Sequence, residues 1–159
     1  MQAIVYGLKS FNEIFSNSFV HWSTDNFATT SIVRKGSKKM HLQLLALEIY
    51  ELCLQFNIKL RVNWVPRKLN KEADEISKYV DTDDWRITNS FFERVEKRWG
   101  PHTIDRFANY ENRKLPRFNS KFYSPFTEKV DAFSTSWENE NNLLVPPVKS
   151  IPGVLKKSF

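Results

Sequence analysis

Ile4, Leu8, Phe11 and Phe15 recur at spacings of three and four, which predicts one buried helix face over residues 2 to 15. Nothing in the sequence caps that helix before Met1, so it is expected to begin upstream, in a longer parent protein. Phe19 to Ser23 is short, aromatic and β-branched, and predicts a strand closed by Thr24-Asp25-Asn26. A short helix is expected from Asn26 to Arg34, broken by the basic turn Gly36-Ser37-Lys38-Lys39. Leu42, Leu45, Ile49, Leu52, Cys53 and Phe56 then repeat with helical period, and Asn57 stands where the last turn would end. Ile58 to Val65 alternates apolar residues with Lys59, Arg61 and Asn63, the period of a strand, and Pro66 stops it. Glu72 to Tyr79 reads as a further helix, followed by the acidic turn Asp81-Thr82-Asp83-Asp84.

The pattern changes after Trp85. An amphipathic helix is predicted from Asn89 to Trp99, and beyond Gly100-Pro101 the chain is rich in Asn, Pro and aromatic residues with little helical period. The expected organisation is an α/β unit over residues 1–80, a linker with a short helix over 81–98, and a small loop-rich α/β module over 99–159.

Composition narrows the classes open to such a chain. With 41% hydrophobic and 26% charged residues it matches globular proteins rather than disordered or membrane ones. No apolar stretch is long enough to span a bilayer and no opening segment has the form of a secretory signal, so an intracellular, non-secreted protein is expected. The lone Cys53 excludes an internal disulfide, and its apolar helical setting predicts a core thiol. A formal charge of +6 favours a polyanionic partner.

Two acids stand out by position. Asp25 closes a strand, and Asp74 lies early in a helix in Asn70-Lys71-Glu72-Ala73-Asp74-Glu75. A strand-end acid and a helix-start acid can converge on Mg²⁺, which prefers oxygen ligands. The alternative is a turn residue and a carboxylate favoured by a helix N-terminus. Arg34, Lys35, Lys38 and Lys39 are candidates for phosphate contacts, with a solvated loop as the alternative. Arg67 and Lys68 stand equally open between the same two roles, and Asn26 and Asn70, beside the two acids, join the candidate nucleic-acid set. His21 and His41 have no metal-ligand spacing, and Trp22 and Trp64 are expected in the core.

The order helix, strand ending Thr24-Asp25-Asn26, helix, basic turn, long helix, Val62-Asn63-Trp64-Val65-Pro66 and Asn70 to Asp74 resembles the ribonuclease H family over residues 1 to 80. Arg34-Lys35-Gly36-Ser37 and Trp64-Val65-Pro66-Arg67 through Ala73-Asp74 are most similar to the ribonuclease H domains of DIRS-type, tyrosine-recombinase retrotransposons. The resemblance implies a mixed sheet flanked by helices and hydrolysis of the RNA strand of RNA·DNA hybrids by two divalent metals, Mg²⁺ or Mn²⁺, held by four carboxylates. It also implies nucleic acid, hybrid or duplex, and an upstream reverse-transcriptase segment as partners. Asp25 matches the third family acid and Asp74 the fourth. The first two, an Asp on the first strand and a Glu on the first helix, have no counterpart; they are expected upstream of Met1 together with the first strands. The chain is accordingly expected to be weakly active or inactive, or to serve as a non-catalytic binding or structural remnant.

The tail, with Ile104-Asp105-Arg106-Phe107-Ala108 and Leu144-Val145-Pro146-Pro147, is similar to the ends of the same retroelements and, more weakly, to phage-type DNA adenine methyltransferases. Val145 stands where those enzymes carry an Asn and Val148 where they carry an aromatic residue. Valine cannot accept a hydrogen bond from an adenine amine, so a catalytically dead module is expected.

Overall fold

In the computed structural model, which describes residues 1–78 and 86–158 apart from the side chains of Glu72, Asp74, Ser77 and Lys78, two strands organise the first half of the chain. Strand β1 (Phe19–Thr24) and strand β2 (Lys59–Trp64) pair in parallel, from Phe19 beside Lys59 to Thr24 beside Trp64. Parallel neighbours need a long crossover. Helices α3 (Phe27–Lys35) and α4 (Met40–Gln55) supply it, after α1 (Gln2–Ser10) and α2 (Asn12–Phe15). A single 3₁₀ turn, Arg67–Leu69, then leads from β2 into α5 (Lys71–Lys78).

Strand alternation decides which face is covered. Val20 and Trp22 of β1, with Leu60 and Val62 of β2, join Ile4, Val5 and Leu8 of α1 and Ile49 and Leu52 of α4 in one core. Phe19, His21 and Ser23, with Lys59 and Arg61, point the other way and are exposed. Gly7 allows α1 to approach, because a Cβ there would lie 2.5 Å from the Trp22 ring. Both chain entries into the strands use asparagine in the left-handed region, Asn17 at φ 57° and Asn57 at φ 51°, and Asn57 Nδ2 donates to Asn17 Oδ1 at 3.0 Å.

The predicted helix over residues 2 to 15 is two helices. Phe11 leaves helical geometry at φ −120° and ψ 25°, so the stripe begun by Ile4 and Leu8 is cut and Phe11 is left 37% exposed. At the break the Glu13 N–H donates to Asn12 Oδ1 at 2.8 Å; after the second helix, Ser18 Oγ donates to the Phe15 carbonyl and the Asn17 N–H to the Phe56 carbonyl, which turns the chain into β1. Tyr79 and the expected acidic turn at Asp81 to Asp84 lie outside the described residues.

The chain divides into Met1–Val80 and Asp81–Phe159, and the helix α6 (Asn89–Trp99) falls in the second unit. Thr88 caps α6 by accepting the Phe91 N–H at 3.2 Å. Four strands of two residues each follow: β3 (Ile104–Asp105) pairs in parallel with β6 (Asn142–Leu143), and β4 (Asn119–Ser120) with β5 (Lys129–Val130). A bridge between Asp105 and Phe118 sets the two pairs side by side. Helix α7 (Ile151–Ser158) contributes Val154 to a small core with Ile104, Ala108, Phe118, Ala132 and Leu143. The chain is of the α/β class, and every strand pair among the described residues is parallel. No helix of the described residues is long and apolar enough to cross a membrane.

Candidate functional site

The carboxyl ends of β1 and β2 carry the first candidate site. Thr24 accepts the Val65 N–H through its carbonyl and the Asn26 N–H through Oγ1, at 2.9 and 3.2 Å. These bonds place Asp25 one residue past the strand. Its backbone carbonyl accepts Trp64 Nε1–H at 3.1 Å, and the Trp64 ring meets Phe27 edge-on with centroids 6.3 Å apart. Trp64 is therefore 47% exposed beside the acid rather than in the core, whereas Trp22 packs against the core as expected. The Asp25 side chain is exposed. Asp74 lies in α5, and its side chain is outside the described residues.

Asn26 has a local structural role. Its Oδ1 accepts the Thr29 N–H at 3.3 Å and caps α3, while the residue itself is exposed. Asn70 is half-buried at the entry to α5, while Arg67 and Lys68 are exposed on the preceding turn. His21 and His41 are both exposed.

From Asp25, α3 runs nine residues, about 13 Å, to the basic turn. Gly36 makes that turn at φ 76°, Ser37 N–H donates to Gln43 Oε1 at 2.7 Å, and Lys39 N–H donates to Ser37 Oγ at 3.2 Å. The backbone is thus held from both sides. Arg34, Lys35, Lys38 and Lys39 are all exposed around it. Four cations on one pinned turn can neutralise phosphates without sequence preference.

Among the described residues, no group of three or more His, Cys, Asp or Glu could hold a metal ion. The Asp74 side chain, the second expected ligand, lies outside those residues. Cys53 is half-buried, and burial pushes its thiol up, which suits the core role expected of it.

Sequence reasoning missed the buried polar centre of the second unit. Arg106, 3% exposed, donates from Nε to Asn142 Oδ1 at 2.6 Å, from Nη1 to Asn119 Oδ1 and Thr135 Oγ1 at 2.8 and 3.1 Å, and from Nη2 to the Ser136 carbonyl at 3.1 Å. All four acceptors are neutral. Burial accordingly pulls the guanidinium down, while the charges of Glu140 and Glu128 pull it up. Asp105, also 3% exposed, accepts the Lys114 N–H on Oδ2 at 3.0 Å, but its Oδ1 is buried without a hydrogen-bond partner. Burial pushes this carboxyl up, against the opposing pull of the Lys114 and Phe107 N–H groups. The available signal was an adjacent acid and base inside the apolar run Ile104 to Ala108.

Asp105, Ala108 and Val145, the residues of the weak methyltransferase likeness, line one cleft with Arg86 and Lys114. Its volume of about 10 Å³ admits a single water and no nucleoside. Nearby, Arg117 donates to both carboxylate oxygens of Glu128 at 2.7 and 2.9 Å and to Glu140 Oε1 at 2.8 Å. Hydrogen bonding to Arg117 holds both carboxyls below their ordinary range.

No family model, curated protein or solved structure matches this chain.

Proposed function

We propose that the chain is a ribonuclease H-type protein of DIRS-type retroelement descent that binds RNA·DNA hybrid or duplex through the basic turn and, with two of the family's four acids, cleaves little. The observation that supports this reading is the run from Asp25 at the carboxyl end of a parallel strand, along α3, to four exposed cations about 13 Å away. Active residues of open α/β sheets gather at the carboxyl ends of strands. A span of 13 Å is roughly four nucleotide steps at about 3.4 Å per step. One strand can then touch the turn and pass the exposed Asp25 and Trp64.

In this reading Asp25 and Asp74 are the Mg²⁺ or Mn²⁺ ligands, Arg67, Lys68 and Asn70 extend the phosphate contacts beyond β2, and an upstream reverse-transcriptase segment is the natural covalent partner. An intracellular setting follows from that descent. A non-catalytic interaction role, carried by the exposed basic turn alone, is the second reading.

The test is binding and Mg²⁺-dependent cleavage of a labelled hybrid. If the four turn cations each neutralise a phosphate, affinity falls roughly a hundredfold between 50 and 200 mM salt; a flat titration overturns the proposal. Cleavage is expected to be weak and to vanish in Asp25→Asn. Fusing an upstream strand bearing Asp and a helix start bearing Glu should restore it. Binding that ignores Mg²⁺ and survives Asp25→Asn with Asp74→Asn, with no cleavage from the fused form, establishes the interaction role instead.

A further inference from the structure

Helix α4 is apolar on two sides. Ala46, Ile49 and Leu52 are buried on one, yet Met40, Leu44, Leu47, Tyr50 and Leu54 are 73, 58, 46, 61 and 63% exposed on another. At 100° per residue these five fall within about 60° of Leu47, so they form one continuous stripe along a helix about 24 Å long. A helix that is apolar on opposite sides is normally covered on both.

The order of the stripe says what covers it. Its positions lie seven and three residues before Leu47 and three and seven after, so the pattern reads the same in both directions. Laid antiparallel on a copy of itself with Leu47 at the two-fold axis, the stripe sets Leu47 on Leu47, Leu44 on Tyr50 and Met40 on Leu54. The polar positions inside the stripe obey the same symmetry: Gln43 and Glu51 sit four residues either side of Leu47. Each Gln43 amide, whose Oε1 already holds the Ser37 N–H, would then face a Glu51 carboxylate across the contact.

We propose that this face binds a second copy of the chain, α4 against α4, antiparallel and two-fold symmetric. A two-fold contact is isologous and requires a self-complementary patch, which a stripe for an unrelated partner does not. The groove of about 390 Å³ beside Tyr50 and Leu54, floored by Val33, Cys53 and Leu60, supplies the receiving volume. Met40 of the second copy, opposite Leu54, has the reach and flexibility to fill it. One helix face per copy is a small interface, below about 1,200 Å² in total, so the dimer is weak and concentration-dependent.

Sedimentation of the full chain from about 5 to 500 µM tests this, since small interfaces dissociate in that range. A reversible monomer–dimer equilibrium is expected, and it should persist in high salt, where nucleic-acid binding is lost. A monomer at every concentration overturns the proposal. Leu47→Glu sets two carboxylates against each other at the axis and should raise the dissociation constant at least about tenfold; an unchanged constant with native circular dichroism overturns it. In a Cys53→Ser background, Leu47→Cys should oxidise to a dimer with itself. Met40→Cys and Leu54→Cys should cross-link to each other on mixing and not to themselves. Self-linkage of Leu54→Cys without that of Leu47→Cys overturns the antiparallel arrangement.

Discussion

The deepest side chains of the first unit are Ile4, Val5, Leu8 and Ile49, whereas those of the second include Arg106, Asp105, Asn119 and Ser120 alongside Ile104 and Phe118. One unit is held by an apolar face that two helices press onto a pair of six-residue strands. The other has strands of two residues and closes its loops through side-chain hydrogen bonds. The contrast follows from element length. A six-residue strand puts three side chains on one face and can anchor a core. A two-residue strand puts one, so a guanidinium with several fixed donors becomes the economical way to join segments distant in sequence.

The largest expected effect separates these two kinds of cohesion. Arg106→Leu removes the donors to Asn119, Asn142, Thr135 and the Ser136 carbonyl and leaves the buried Asn119 oxygen without one, at a cost of about 3 to 5 kcal/mol for the four bonds together. Hydrogen exchange read by mass spectrometry should show residues 104–145 losing protection while residues 1–65 keep theirs. Equal loss in both stretches would break the comparison. Leu8→Ala is the mirror experiment: Leu8 is 0% exposed, and its truncation should cost about 3 kcal/mol, confined to the first unit.

A smaller effect distinguishes the units by pH. The carboxyl of Asp105 is raised above its ordinary value, first by burial, so it favours the folded state most when protonated. Its contribution is complete below the ordinary Asp range near about 4 and is lost as pH rises through the raised folded value. Glu128 and Glu140 are lowered by hydrogen bonding to Arg117 and work in the opposite sense, losing their contribution as pH falls. Comparing the chain with Asp105→Asn cancels that second effect. In denaturant melts of the second unit, the parent should lose more stability than the variant between about pH 4 and 7. Parallel pH profiles would show that the orphaned Oδ1 carries no linkage.

Much of the first unit was legible because its signals are periodic. Leu45, Ile49, Leu52 and Cys53 announced α4, Leu60 and Val62 announced β2, and Asn57 marked the left-handed end between them. The break at Phe11 was not legible, since Phe11 and Phe15 keep the helical spacing while the Glu13 N–H turns to the Asn12 side chain. Of the candidate site, the position of Asp25 and the exposed basic turn were readable from the strand end and the glycine. The cap made by Asn26 and the exposure of Trp64 were not, because both depend on which neighbour satisfies which atom. The second unit was least legible: Arg106 reaches Asn119 and Asn142, 13 and 36 residues away, and no periodicity marks such partners.

The finest test of the comparison sits at Gly36, where the first unit uses the second unit's device of a side chain closing a loop. Gly36 has φ 76°, and a Cβ there would lie 2.6 Å from Gln43 Oε1, the atom that accepts the Ser37 N–H. Gly36→Ala should therefore strain the backbone and displace Gln43 together, costing about 1 kcal/mol, well under the loss at Leu8. All four cations remain in this variant, so the proposed hybrid binding should weaken only a few-fold and keep its salt slope. An unchanged stability would mean that the turn is not held by Gln43, and a flatter slope would mean that its backbone geometry, beyond its charge, sets how many phosphates it meets.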